Sequence, residues 1–360
     1  MDNLKYKPDF ERAKLYWKAF WEKEVIDRPL ICINTVKKGM TFPRYDSSVS
    51  NAFRKIMNGD FESLLKAFEE YISALAFCGE SIPSFDISLG PDQYAAFLGA
   101  SITAGEEDIT TWVNPIINDW GNFGAVIDQT PNSYFDRMKQ CYAYAVDYSK
   151  DKFLLNMMDL HSGMDALSAL RGPQDLCFDI MDYPEEIHRV LDDVRKTYRD
   201  VFMMGYENGA MDTRGSIGWA PTFCEGKFAV TECDFSCMLS PEQAREFVIP
   251  AIAEEAAFLD HTVYHYDGKE ALGHLDDILA IPDIDVIQWV PGDGNPPSIE
   301  WMDLLHKIQA AGKGLWLYDW MPDQIRARFK ELKPEGLVFQ TYAETEDEAE
   351  KLIEDIKKAM

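Results

Sequence analysis

The sequence predicts an α/β chain folded as a single (β/α)8 barrel with an N-terminal helical extension. Three observations carry that expectation. Helical and apolar extended segments alternate, with short connections, through the C-terminal half. Extended segments number about eight over the whole chain, the count such a barrel needs. Chemically capable side chains recur where an apolar run gives out, which is where parallel β/α proteins build their sites.

Taken in order, Phe10 to Trp21 spaces Ala13, Tyr16, Trp17, Phe20 and Trp21 along one face of a helix. Residues 1–29 form the N-terminal extension. Asp27-Arg28-Pro29 then turns the chain into a first strand, Leu30 to Ile33. Phe61 to Phe77 reads as helix and leads to a second strand, Ile82 to Phe85. Residues 99–128 are rich in Thr, Trp, Asn and Gly and predict an irregular or β-rich excursion, a hairpin or lid.

Regular alternation begins at Pro131. Ser133 to Tyr148 predicts a helix and Phe153 to Met158 a strand. Pro184 to Tyr206 predicts a long helix, with Asp182 near its start and Asn208-Gly209 near its end. Gly215 to Trp219 is a strand, followed by a loop carrying Glu225, Cys233 and Asp234. Ser240-Pro241-Glu242 opens another helix, with Ser as N-cap and Pro at the first position. Strands follow at Thr262–His265, Asp285–Trp289, Gly314–Tyr318 and Leu337–Gln340, separated by helices at Leu272–Leu279, Ile299–Ala311 and Asp323–Leu332. A helix at Thr345–Lys358 completes the chain. A doubly wound open sheet is the alternative, but no GxGxxG or GxxxxGK[ST] word supports dinucleotide or P-loop chemistry.

Composition narrows the function. Hydrophobic residues make up 46% of the 360, ample for a large core. No stretch reaches the ~18 apolar residues of a membrane span, and the N-terminus lacks a signal-peptide pattern, so a soluble, cytoplasmic protein is expected. Seven scattered cysteines with no CxxC pair speak for reduced thiols rather than a disulfide framework or a four-cysteine zinc site. A net charge of −27 disfavours nucleic acid, anionic membranes and heavily carboxylated substrates.

The predicted strand ends present Asp86, Asp159 with His161, Trp219, His265 with Asp267, Gln288 with Trp289, Tyr318 with Asp319, and Gln340 with Tyr342. A barrel held together by packing alone does not need these residue types on one rim. His265 and Asp267 are two apart on one strand, so both side chains leave on the same side. An imidazole beside a carboxylate suits a metal pair or a tuned general acid/base. Asp234 opens a Cys-Asp-Phe-Ser-Cys run in which Cys233 reads as a buried hydrophobe before it reads as a ligand. His274 reads equally as capping or site-facing. Trp120, Trp219 and Trp289 could wall a pocket for a flat or apolar substrate, whereas Trp316 reads as core.

The words CDFSCMLSPEQAREFVIPAI, YHYDG and IDVIQW, with DRPL near the start and GLVFQTYAETEDEAEKLIEDI at the end, resemble the uroporphyrinogen decarboxylase-like superfamily, which includes cobalamin-dependent methyltransferases. The resemblance implies a single barrel over residues 1–360 with its site at the C-terminal mouth. In the methyltransferase branch the matching strand carries a zinc-binding His-x-Cys-Gly; here the word is His265-Tyr266-Asp267-Gly268. Asp267 therefore stands where the thiolate would be, and the later strand, Leu315 to Asp319, offers no Cys. Carboxylate for thiolate disfavours thiol methylation and suits zinc or another divalent metal in a harder site, with His265 and Asp267 as the ligands expected. The decarboxylase branch uses an arginine-rich N-terminal patch, of which only Arg28 is present.

The function expected is a methyltransferase moving a methyl group between a small methoxy or N-methyl substrate and a separate corrinoid protein, since the chain has no cobalamin-binding Asp-x-His-x-x-Gly word. A decarboxylase or other lyase, and a non-catalytic ligand-binding barrel, are the alternatives. His265, Asp267, Asp234 and Tyr318 are the catalytic candidates. Asp86, Trp120, Asp159, His161, Trp219, Gln288, Trp289 and Gln340 are the substrate-binding candidates. A homodimer is left open.

Overall fold

The computed structural model describes residues 3–105 and 109–360. Thirteen strands occur among them: β1 (Leu30–Val36), β2 (Leu75–Gly79), β3 (Ser84–Phe85), β4 (Ser101–Thr103), β5 (Trp112–Asn114), β6 (Leu154–Leu155), β7 (Ser216–Ile217), β8 (Phe223–Cys224), β9 (Phe228–Thr231), β10 (His261–Asp267), β11 (Val286–Val290), β12 (Gly314–Leu317) and β13 (Leu337–Tyr342). The architecture is mixed α/β. A central seven-stranded sheet runs in the order β2-β1-β13-β12-β11-β10-β9. Every pairing in it is parallel except β1 with β2. Short strands continue around it: β3 pairs in parallel with β6, and the Met157 N–H donates to the Ile217 carbonyl beside β7 at 2.7 Å. No helix among the described residues is long and apolar enough to cross a membrane.

The strands β10 to β13 lie where the periodicity places them, since each is an apolar run bounded by Gly, Pro or Asp. Differences occur where runs are short. The helix read over Phe61 to Phe77 stops at Ser73, and Leu75–Gly79 instead lies along the free edge of β1. An apolar run of this length suits either state, and the edge supplies the hydrogen bonds that decide it. The segment after Trp219, read as loop, holds β8, which pairs antiparallel with β7, and β9. The expected strands at Phe153–Met158 and Gly215–Trp219 shrink to two residues each. Helices at Val49–Asn58, Gly163–Arg171 and Pro173–Asp182 were not expected. Within 99–128, β4 and β5 pair as a hairpin and Trp120–Asn122 forms one 3-10 turn; residues 106–108 of that stretch lie outside the described ones.

Two cores result. The larger packs helices against the outside of the sheet. The smaller gathers residues of β1, β6, β7 and β9 to β13, with Ile82 just before β3: Leu30 and Cys32, Ile82, Leu154, Ile217, Val230, Val263, Val286, Trp316 and Val338. Phe10, Trp17, Phe20 and Trp21 of the N-terminal helix join this same cluster. Strand residues two apart share a face, so this apolar layer also says which residues share its face one step further along each strand.

The N-terminal helix is fixed by a buried ion pair. Arg28 donates to both oxygens of Glu80 at 2.8 Å and to the Pro29 carbonyl at 2.9 Å. The Ile31 N–H donates to Glu80 at 3.1 Å, and the Trp17 indole N–H to the Glu80 carbonyl at 3.0 Å. Arg28 is thus fully committed at the start of β1 and is not available for a substrate carboxylate.

Two outcomes follow for stability. Gly79 ends β2 with φ +61°, and a Cβ there would sit 2.0 Å from the Ile31 carbonyl oxygen. Gly79→Ala should cost about 2–3 kcal/mol, read as a lower denaturant midpoint at unchanged slope. Glu69 accepts from Lys5, Tyr6, Tyr148 and Lys152 at 2.8–3.0 Å, tying the N-terminus to two helices. Burial alone would raise its carboxyl, but these donors outweigh it and bring the pKa down to about 2. Because the folded value lies below the unfolded one of about 4.3, the stabilisation is complete above that pH and fades as pH falls toward 2. Glu69→Gln should lower the melting temperature at neutral pH, and the gap to the unaltered protein should close on acidification. A gap independent of pH would contradict this assignment.

Candidate active site

Two residues beyond the apolar layer, these strands carry His265, Gln288 and Gln340, and the segments just past strand ends carry Asn156, Trp219, Glu232 and Tyr318. A polar layer therefore follows the apolar one along the strands. Several of its buried atoms have no partner: Asn156 Oδ1, Trp219 Nε1, Glu232 Oε1 and Gln340 Oε1, joined by Asp159 Oδ1 and Asp267 Oδ1. An unsatisfied buried polar atom costs about 1–3 kcal/mol, so six in one place mark a site rather than a packing accident. Asp86 and Asp234 carry accessible surface yet have protein around them, as groups facing an internal chamber do.

Two overlapping groups could hold a metal ion: Asp159, His161 and Glu232, and Glu232, Asp234 and His265; within each, the ligand atoms lie within 4.8 Å of one another. Glu232 belongs to both. Their histidines differ. His161 lies 3.1 Å from Asp159 through Nε2 and 3.4 Å from Asp165 through Nδ1, with Glu232 at 3.5 Å. Both ring nitrogens are taken up by carboxylates, so His161 acts as a fixed counter-charge. His265 offers only Nδ1 to Gln288, at 2.5 Å. That bond selects the Nδ1–H tautomer and leaves Nε2 with a lone pair, the usual outer-partner arrangement of a metal-binding histidine. The donor set of imidazole and carboxylates is hard to borderline and fits zinc, manganese or a similar divalent ion.

Burial would lower the His161 pKa, but Asp159 and Glu232 outweigh it and hold the ring well above the ordinary imidazole value. Burial raises Asp159, and the charge of His161 overcomes it to bring that carboxyl below the usual range. Burial and then Asp159 push Glu232 well up, burial and Asp165 push Asp234 up, and burial with Asp159 pushes Asp86 to about 7. The chamber is crowded with negative charge.

Neighbouring elements position these groups. Asp165, one turn into the helix Gly163–Arg171, accepts the backbone N–H of Asp234 at 2.9 Å and of Phe235 at 2.8 Å, and so clamps the turn that carries Asp234. Gln93 donates to the Asp159 carbonyl at 2.8 Å. The His274 ring lies 2.9 Å from the Ser236 carbonyl, which makes it a brace between two loops. Cys233 is buried, and burial with Asp165 nearby pushes its thiol well up, against a ligand role.

Of the residues singled out in the sequence, His265, Asp267, Asp234, Asp159, His161, Trp219, Gln288, Tyr318, Gln340 and Asp86 gather around this chamber or its rim. Trp219 packs edge-to-face on His265 at 5.1 Å. Asp267 and Tyr318 line an adjoining cleft of about 470 Å³ with Asp293 and Asp319. Asp86 lines a smaller cavity of about 190 Å³ beside Tyr45 and Phe68. His265 is grouped with Glu232 and Asp234, whereas the expected metal pair joined it to Asp267. Trp120 is elsewhere: its indole N–H donates to Asp179 at 2.8 Å in the helical core. Trp289, the neighbour of inward-facing Gln288, points to the opposite face and packs on Tyr266 and Trp301. Glu232 and Asp165 were missed. The short run Phe228–Thr231 that aims Glu232 inward was the available signal for the first, and the i, i+4 spacing from His161 for the second.

No protein-family model matches this sequence, and no curated protein matches it. Among solved structures the chain is similar to a methyltransferase from Methanosarcina mazei, at 11% identity, a TM-score of 0.59, and coverage of 96% of this chain and 98% of that one. The likeness is one of fold over nearly the full length of both chains.

Proposed function

We propose that the chain is a methyltransferase on a (β/α)8 barrel, passing a methyl group between a small methoxy or N-methyl compound and a corrinoid carried by a separate protein. The observation that carries this reading is the unsatisfied polar layer beyond the apolar one. Inward residues from all around the sheet converge on one chamber, as a closed barrel places them, at the strand ends where such barrels hold their sites. The full-length fold likeness and the sequence resemblance to the methyltransferase branch support the reaction type.

His265 through Nε2, Glu232 and Asp234 would hold a divalent ion. When bound, such an ion supplies Lewis acidity toward the heteroatom that gives up the methyl group. Gln288 fixes the His265 tautomer, and Asp165 fixes the Asp234 turn. The cleft lined by Asp267 and Tyr318 would give the substrate its approach. His161, Asp159 and Glu232 hold a fixed charge pattern that needs little reorganisation during reaction. Without a thiolate at position 267, a thiol acceptor is not activated here.

The test is an anaerobic screen of methoxylated and N-methylated compounds with cobalt(I) corrinoid, read by the absorbance of methylcobalt as it forms. A donor that methylates cobalt only when the protein is present supports the reading. No methylcobalt from any donor would leave a binding barrel or a lyase as the better account.

A further inference from the structure

We infer that the methyl donor is a cation, an N-methylammonium compound, recognised by surplus carboxylate charge in the chamber and its adjoining cleft. The inference rests on the methyl-transfer reading for its donor class and on charge and acceptor geometry for its choice. Around the chamber stand Asp159, Glu232, Asp234 and Asp267, with no lysine or arginine paired to any of them in hydrogen bond or ion pair among the described residues. His161 offsets one of these charges. A divalent ion at His265, Glu232 and Asp234 would displace the proton that burial and Asp159 favour on Glu232 and offset two charges, leaving one of the four carboxylates unanswered. Asp293 and Asp319 add to it along the cleft.

An acidic cluster alone would not identify a ligand; the orphaned atoms do. Glu232 is 3% exposed and its Oε1 has no donor. Asn156 is 5% exposed and its Oδ1 has none either. Asp159 Oδ1, Asp267 Oδ1 and Gln340 Oε1 repeat the pattern, and Trp219 Nε1 is the one orphaned donor of the group. A chamber of unpaired acceptors is complementary to a cation or to N–H groups and repels a carboxylate or phenolate. Trp219 and Tyr318 supply aromatic surface at the same level, which favours an alkylated ammonium over a bare one.

The chemistry agrees with the charge. As the methyl group passes to a cobalt(I) acceptor, the carbon–nitrogen bond breaks and its electron pair stays on nitrogen. A neutral amine then leaves with no proton to be supplied, and cobalt is oxidised from I to III while carbon gains the cobalt bond. An ether donor would need an acid for its oxygen; an ammonium donor does not.

The test compares choline, its neutral carbon isostere 3,3-dimethylbutan-1-ol, and anionic methoxyacetate by calorimetry, on chelator-treated and on zinc-loaded protein. Choline should bind at least about tenfold more tightly than the alcohol in both states, and methoxyacetate weakest. Asp267→Asn, with its folding checked by thermal unfolding, should remove most of the preference for choline over the alcohol. Equal affinity for choline and the alcohol, tighter binding of methoxyacetate, or no binding of any of the three overturns the inference. Complete exclusion of choline by zinc also overturns it, because the carboxylates would then serve the ion alone. Preferential binding of cations with no methyl transfer from any donor would keep the recognition of a cation by these carboxylates and remove the methyl-transfer reading. Transfer from neutral ethers alone would do the reverse.

Discussion

His265→Ala should reduce methyl transfer by about 10²–10⁴-fold while leaving the melting temperature of the metal-free protein nearly unchanged. The residue sits in the polar layer with one hydrogen-bond partner, Gln288, and the Trp219 indole packed edge-to-face on it. Its loss removes the imidazole grouped with Glu232 and Asp234, and little packing. Gln288→Ala should act in the same direction and more weakly, about 10–100-fold, since it frees the tautomer without removing the ring. Zinc titration gives a second readout: affinity should fall in both variants in the same order. Equal activity of His265→Ala and the unaltered protein would place the chemistry elsewhere.

Glu80→Gln should destabilise the fold by about 3–5 kcal/mol, the largest single-residue effect expected outside the site. Both side chains of the Arg28–Glu80 pair are fully buried. Removing the carboxylate leaves the buried guanidinium with only the weaker charge of Asp27 to answer it, and the amide keeps one acceptor oxygen where the carboxylate had two for Arg28 and the Ile31 N–H. The pair joins the turn before β1 to the residue after β2, so the N-terminal helix should loosen with it. Replacing both partners by apolar residues of similar size should cost less than Glu80→Gln, because no charge is then stranded. Denaturant unfolding of the three proteins orders these expectations. A Glu80→Gln protein as stable as the parent would show that the pair adds nothing.

Long strands bounded by turn residues were legible in the sequence, and so were the side chains that end them. Val263 to Asp267 and Val286 to Trp289 each announce an apolar residue followed two places later by a polar one on the same face. His265 and Gln288 could be placed on that basis. Glu232 could not, because β9 is only four residues long and lies in a stretch rich in loop residues. Trp120 and Trp289 show the converse difficulty. A tryptophan beside a strand end can face either side, and only the register of β11 and the Asp179 hydrogen bond reveal that both belong to the helical core. Asp165 acts through a helix packed behind the site, a relation that strand periodicity does not carry. The two-residue strand β6 owes its pairing to β3, distant in sequence, whereas β7 pairs with β8 a few residues on.

The most direct measurement mixes cobalt(I) corrinoid anaerobically with an N-methylammonium donor and equal amounts of parent, His265→Ala or Glu232→Gln protein, and follows methylcobalt by absorbance. The account predicts rapid formation with the parent and a loss of about 10²-fold or more in both variants. Formation at the same rate in all three, or in none of them with every donor tried, would contradict it.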